Sequence, residues 1–391
     1  MTSFSHITPE LRLHCGDDSL LQLARELDRH GCRRAVVFCG ASVARPGQGL
    51  DALLAALGGR CADVFAGVRR HSPLPSVIDA AALLARVQAD AVVALGGGSA
   101  IVTARAAGIL QGEGQDVRAL CTRRGEGGQL VSPRLLAPKL PQFVVPTTPT
   151  TACAKAGAAV HDPHTGERLA LFDPKTRAKA IAVHPALLLA APASLALNAS
   201  LNTLAMAVEG LESAQSQPLS DALLMHALRL LAEHLPQLPA RPQDAALRTQ
   251  LVLAALLCGQ GTDATGGGIA SVLGHAIGPR SGLDNGLVNA MVLPYTLQFN
   301  AAATGERLHK VVQALAPLAP ERDAVPAQAA IAAVQALLTT LSVPLRLREA
   351  GVPQAMLDEI AAEAMSDWFV HRNPRKVTGP ADLRRVLDAA W

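Results

Sequence analysis

Six residues at the ends of two apolar runs have the types and spacing of a phosphate cradle. Gly96, Gly97, Gly98 and Ser99 follow the run 91–95, and Thr147 and Thr148 follow Gln142-Phe143-Val144-Val145-Pro146. Glycines accept positive φ and let a ligand approach bare backbone. The N–H groups opening the next helix, which begins near Ala100-Ile101-Val102-Thr103, attract an anion. Threonine hydroxyls at a strand end either donate to phosphate and ribose oxygens or close a turn and cap a helix, and both readings fit.

These residues need a scaffold, and the pattern around them supplies one. Helical periodicity over 20–31 ends at Gly31; apolar runs of strand length come next at 34–40 and 61–68, with helices at 50–57 and 77–88 between them and the 91–95 strand. Alternation at this spacing predicts an α/β unit whose parallel sheet is covered on both faces. Ligands of such sheets bind beyond the carboxyl ends of the strands, where the glycine turn falls. From Pro192 onward the character changes. Alanine- and leucine-rich helices are expected over 194–238, 243–262, 265–278, 286–300, 305–318, 325–341 and 353–364, without strands. At 391 residues the chain exceeds the ~250–300 at which one core stops growing, so two domains are expected. Their predicted bounds are 1–192 and 193–391, with the cleft between them as the default site.

Composition narrows the function classes. Half of the residues are hydrophobic and 17% charged, which supplies a core and excludes a disordered acidic chain. The formal net charge of +3, without a long Lys/Arg run, implies neither nucleic acid nor an anionic membrane as partner and leaves small anions as substrates. Seven cysteines with no C-x-x-C pair suggest no disulfide framework and no cysteine zinc site. Met1-Thr2-Ser3-Phe4-Ser5-His6 lacks the basic start and apolar centre of a secretory signal, and no apolar run is long enough to span a bilayer, so a cytoplasmic location is expected. The segment 112–139, with Arg118, Arg123, Arg124, Arg134 and Lys139, reads as a solvated loop, with a basic rim over an anion as the other reading.

Gly96-Gly97-Gly98-Ser99-Ala100-Ile101, Pro146-Thr147-Thr148, Val208-Glu209, Gly274-His275 and Asn289-Ala290-Met291-Val292-Leu293-Pro294 occur in an order and spacing that resembles the iron-containing alcohol dehydrogenase superfamily. The resemblance covers nearly the whole chain. It implies a dinucleotide-binding domain, an all-helical domain of the dehydroquinate synthase-like kind, a homodimer, and hydride transfer between NAD(H) or NADP(H) and a carbonyl or alcohol. By the same resemblance Gly97, Gly98 and Ser99 cradle the pyrophosphate, with Thr147 and Thr148 alongside. Cys39-Gly40 offers no carboxylate to a ribose 2′-hydroxyl, so NADP(H) is not repelled.

The sequence departs from the family at the metal. Members hold a divalent ion with an aspartate and a histidine four residues apart and two later histidines. Matching places Asn202, Met206, Ser271 and Asn285 there, none of them a good ligand for Fe²⁺ or Zn²⁺. No catalytic metal is expected, and the maleylacetate reductase branch is similar in lacking one and in carrying asparagine at Asn202. The resemblance puts His275 at a non-ligand histidine near the nicotinamide, suited to proton transfer. Asn202, Ser271 and Asn285 would donate hydrogen bonds in place of the metal, and Arg280 and Lys155 would anchor a substrate carboxylate. The expected activity is metal-independent reduction of a small carboxylated oxo or unsaturated compound, as in the degradation of aromatic compounds. A dinucleotide-binding member without turnover, a sensor or structural partner, is the other reading. His71 reads as a loop residue, His161 and His164 as a turn around Asp162-Pro163, and Cys153 as a thiol at a turn facing the site.

Overall fold

The computed structural model describes residues 3–114, 116–125, 130–316 and 325–391. Two units emerge: Thr8–Pro192, and Ala193–Trp391 together with the segment ending at Ile7, whose His6 Nδ1 lies 2.8 Å from the Gln217 amide.

The first unit holds ten strands: β1 (Arg12–Cys15), β2 (Ala35–Gly40), β3 (Cys61–Val68), β4 (Ala91–Gly96), β5 (Arg123–Arg124), β6 (Leu130–Val131), β7 (Gln142–Pro146), β8 (Gly157–His161), β9 (Arg168–Phe172) and β10 (Ala178–Val183). Six of them form one parallel sheet in the order β1-β10-β7-β4-β2-β3. β4 and β7 are buried at every residue and β2 at all but Gly40, which is why their sequences are unbroken apolar runs rather than alternations. The chain runs outward from β2 to β3, returns to β4 on the other side of β2, and continues through β7 to β10. That reversal puts the topological switch point between β2 and β4, whose carboxyl ends are Gly40 and Gly96.

Several expectations change here. β1 and β10, not anticipated, complete the sheet beside β7. His164 does belong to a turn, that of the antiparallel β8–β9 hairpin, where Asp162 Oδ1 accepts from the His164 N–H at 2.9 Å, whereas His161 is the last residue of β8, paired with Arg168. The 112–139 stretch is not a solvated loop throughout. Lys139 is fully buried and paired with Glu113 at 2.6 Å and Asp173 at 3.3 Å, and Arg118 bridges Asp162 and Glu167. Residues 126–129 and the Arg124 side chain lie outside the described residues.

Arg105, 1% exposed, ties this unit together. From the Gly98–Glu113 helix its guanidinium donates to Gln142 Oε1 at the start of β7 (3.2 Å), to the Gly157 carbonyl (2.7 Å) and to the Ala152 carbonyl (3.0 Å). The planar fork of donors suits three separate oxygens. It thereby fixes the loop after β7 against the helix after β4.

The second unit is helical, and the expected helices shift at their ends for local reasons. The 194–238 run breaks into Ala193–Glu212 and Pro218–His234, because Pro218 starts a new helix behind a Gln217–Ser220 capping box. Gly266, at φ +77°, ends Ala245–Thr265, so the next helix is Ile269–Ser281 rather than 265–278. Asn285–Thr304 comes next, then a 3₁₀ turn and His309–Ala314; residues 317 and 318 of the expected 305–318 helix lie outside the described residues. Pro326–Thr340, Leu357–Ala364, a 3₁₀ turn at Trp368–Arg372 and Pro380–Ala390 complete the unit, the last two unanticipated. Among the described residues no helix is long and apolar enough to cross a membrane.

Replacing Arg105 by methionine keeps volume but strands buried Gln142 and the carbonyls of Gly157 and Ala152. Thermal denaturation of Arg105→Met is expected to show a midpoint roughly 5–10 °C below wild type, from a loss of about 2–3 kcal/mol.

Candidate functional site

The α/β unit builds the cradle from two neighbouring strand ends. Gly96 pairs with Pro146 across β4 and β7, and the Thr147 N–H donates to the Gly96 carbonyl at 3.0 Å, so the glycine turn and the threonine turn lie side by side. Gly96 has φ +147°, which a side chain rarely adopts. A Cβ on Gly97 would lie 2.9 Å from Thr148 Oγ1, and one on Gly98 3.2 Å from Thr150 Oγ1. Bare backbone at the start of Gly98–Glu113 therefore faces hydroxyls at the end of β7, a cradle that any larger residue would fill. This arrangement fits a dinucleotide pyrophosphate, with the positive end of the helix dipole contributing. Ser72 adds support: held at φ +49°, it donates to the Ser99 carbonyl at 3.1 Å and accepts from Thr103 at 3.1 Å. Thr150, in the same hydroxyl-rich turn, accepts from the Ala152 N–H at 3.3 Å and caps the turn preceding Lys155. Cys153 is fully buried, and burial pushes its thiol up to about 12, so the thiol expected at a turn facing the site is enclosed by the fold.

The helical unit holds the residues that the resemblance matched to metal positions. The Asn202 amide lies 3.5 Å from Met206 Sδ, one turn along the same helix. Its amide meets the Asn289 amide at 2.9 Å; oriented to satisfy both of its ends, Asn289 donates to the carbonyls of Asn285 (2.9 Å) and Ala270 (3.1 Å). Glycines make this possible. A Cβ on Gly274 would lie 1.7 Å from Asn289 Oδ1, one on Gly278 2.2 Å from Asn285 Oδ1, and one on Gly286 1.8 Å from the Asn198 carbonyl. Asn285 Oδ1 is buried without a hydrogen-bond partner. Asn202, Met206 and Asn285 thus share one amide-lined neighbourhood.

Ser271 is turned to another task. Its hydroxyl donates to Glu209 Oε2 at 2.5 Å and its N–H to Glu209 Oε1 at 2.9 Å. That proton is spent on a buried carboxylate rather than offered to a substrate, which corrects the expected role. Desolvation raises the Glu209 carboxyl, opposed by Ser271 and by the N–H groups of Gly268 and Ala270. The donors around Asn202 are a neutral amide, a thioether and a second amide, and among the described residues no three His, Cys, Asp or Glu side chains are placed to hold an ion. This set does not fit Fe²⁺ or Zn²⁺.

His275 sits on Ile269–Ser281 one turn beyond Ser271, with its Nδ1 2.7 Å from Asp367 Oδ2. Trp368 and Phe369 flank the imidazole, ring centroids 6.4 and 6.2 Å away. Asp367 was invisible in the sequence because 92 residues separate it from its partner. Arg280 spends its charge elsewhere: its guanidinium pairs with Glu359 at 2.7 Å and with Glu363, so the expected carboxylate anchor is held in an ion pair on the Leu357–Ala364 helix. Lys155 lies half-buried in the turn after β7 and belongs to the other unit.

Both units have known relatives. Residues 9–185 match the family model described as iron-containing alcohol dehydrogenase, and residues 196–391 the one described as Fe-containing alcohol dehydrogenase family, C-terminal. The chain belongs to the iron-containing alcohol dehydrogenase family. It is an oxidoreductase of that family, whose members use NAD(P)H. A maleylacetate reductase of Rhizobium sp. is 27% identical over 391 residues, 100% of this chain and 99% of that one. A lactaldehyde reductase of Escherichia coli is 26% identical over 380 residues, covering 94% of this chain and 95% of that one. The solved alcohol dehydrogenase of Oenococcus oeni superposes with a TM-score of 0.90 at 21% identity, over all of both chains, and shows the same fold.

The cradle geometry predicts that Gly97→Val keeps the wild-type circular dichroism spectrum while raising the Kd for NADH and NADPH at least about tenfold in a fluorescence titration. A second prediction concerns Glu212, whose carboxyl is pushed well above the usual range by desolvation and then by Glu209, against a 3.0 Å bond from Asn300. Folded protein keeps this proton after the unfolded chain has lost it, so its contribution is complete below the ordinary glutamate range and declines as pH rises above it. Melting curves from pH 6 to 9 should therefore flatten in Glu212→Gln relative to wild type.

Proposed function

We propose that this chain is an NAD(P)H-dependent reductase of a small carboxylated oxo or unsaturated compound, similar in chemistry to a maleylacetate reductase and working without a catalytic metal. The observation that carries the reading is the pairing of a poor metal donor set with a histidine held by a buried carboxylate: Asn202, Met206 and Asn285 on one side, His275 and Asp367 on the other. Bound NAD(P)H supplies the hydride. Gly96, Gly97, Gly98 and Ser99 hold its pyrophosphate, with Thr147 and Thr148 beside it. Having no acid at Cys39-Gly40, the end of β2 accepts either cofactor.

The residues of the helical unit then do what a Lewis acid does in metal-bearing relatives. Amide donors from Asn202 and Asn285 polarise the substrate oxygen; a preorganised donor of this kind contributes about 3–4 kcal/mol, within reach of the several kcal/mol a metal provides. His275 delivers the proton. Lys155 is the cation this reading assigns to a substrate carboxylate, and Arg280 is left to its glutamates. The active form is a cytoplasmic homodimer that needs neither nucleic acid nor a membrane. The 26–27% identity to maleylacetate reductases favours this substrate class, while the lactaldehyde reductase at the same level keeps short hydroxyaldehydes as the comparison set.

The test is cofactor oxidation by chelator-treated protein against 2- and 4-oxo dicarboxylates, with short aldehydes beside them. Turnover of a dicarboxylate at an unchanged rate after chelation and after added Fe²⁺ or Zn²⁺, lost about 10²-fold or more in His275→Ala, is the expected result. Activity that appears only with added metal overturns the metal-free mechanism. Tight cofactor binding with no turnover of any compound points instead to a binding role.

A further inference from the structure

We propose that Asp367 is the positioning residue of the proton donor, setting both the tautomer and the direction of His275. This rests on the reading of His275 as the group that protonates substrate. Asp367 Oδ2 lies 2.7 Å from His275 Nδ1, while Oδ1 accepts the Phe369 N–H at 2.9 Å and so caps the Trp368–Arg372 turn. One oxygen holds the imidazole and the other is locked to the backbone. The carboxylate cannot rotate without losing one of the two.

The environment makes this more than a satisfied core histidine. The Asp367 side chain is 7% exposed and that of His275 15%, so the pair sits at low effective dielectric, where a charge-assisted bond is strong. The turn that Asp367 caps also supplies both aromatic rings beside the imidazole. Phe369 packs in its turn on Gly267, where a Cβ would lie 3.1 Å from the ring. Carboxylate, cap and rings thus form one short element that fixes the ring plane, and only a glycine-lined approach admits it.

With Nδ1–H donated to Asp367, the imidazolium releases its Nε2 proton to the substrate as hydride arrives from the nicotinamide. The C=O or C=C bond is reduced, the cofactor is oxidised to NAD(P)⁺, and the histidine is left neutral with its proton on Nδ1. Solvent returns the Nε2 proton. Asparagine at 367 can turn its NH₂ toward Nδ1 and so favours the opposite tautomer, with the shape of the site unchanged.

¹⁵N NMR of the imidazoles, with the His275 signals identified by their absence in His275→Gln, needs no substrate and tests this directly. The wild type should show the Nδ1–H tautomer when neutral, and Asp367→Asn should move the population toward Nε2–H. With the best substrate of the oxo-dicarboxylate panel, Asp367→Asn should lower kcat by roughly 10²–10⁴-fold with KM within about twofold, and Asp367→Glu should recover part of that loss. A wild-type His275 that is mainly Nε2–H overturns the proposal even if the variants fail to fold. An unchanged tautomer and kcat in folded Asp367→Asn does so as well. If His275→Gln itself retains activity, the proton-donor reading falls; if His275→Gln is inactive and Asp367→Asn is not, only the positioning role falls.

Discussion

A carboxylate kept out of water organises the helical half of the molecule. Glu209 is 2% exposed and accepts the hydroxyl and the N–H of Ser271 at the N-terminus of Ile269–Ser281. A helix start leaves its first N–H groups without partners, and a negative charge there also meets the positive end of the dipole. Burying that charge is costly, and charge-assisted bonds of about 1.5–3 kcal/mol each offset the cost. The helix so anchored carries His275 one turn further on, and its glycines at 274 and 278 admit Asn289 and Asn285. The positions of His275 and of the amides are consequences of the same cap.

The metal-free site proposed above changes what the fold must do. An ion gathers its ligands by its own charge, so helices that bear them need only approximate placement. Neutral amides have no such centre and must be held by one another and by backbone. Here Asn289 does this, bridging Asn202 to the carbonyls of Asn285 and Ala270 across three helices. Close helix approach at Gly274, Gly278 and Gly286 is the geometric condition, since a single methyl group at any of them would overlap an asparagine or a carbonyl.

In the α/β half the corresponding constraint is Arg105. Its guanidinium joins the helix after β4 to the loop after β7, the two segments whose ends form the phosphate cradle. Gly97 and Thr148 face each other at the distance of a missing Cβ because the strands that carry them are hydrogen-bonded neighbours and this buried fork holds the helix and loop beyond their ends.

Much of this was legible in the residues. Continuous apolar runs at β2, β4 and β7 identify a buried parallel sheet, and the glycine turn after β4 marks its carboxyl edge, because both signals are local in the chain. Asn202, Met206, Ser271 and Asn285 are visibly poor metal ligands by residue type alone. Edge strand β1 was harder to see: Arg12–Cys15 is mostly exposed and carries no apolar run. Helix ends at Pro218 and Ile269 moved because caps and glycines, not periodicity, decide where a helix starts. The partner of a polar side chain cannot be read from spacing, since it arrives from elsewhere in the fold. Only the tertiary structure turns Ser271 toward Glu209, pairs Arg280 with Glu359 and Glu363, buries Lys139 and Cys153, and brings Asp367 to His275 across 92 residues. The sequence determined the chemistry available to this protein, and packing determined which donors were left to use it, because a hydrogen bond made inside the fold is one no longer offered to a ligand.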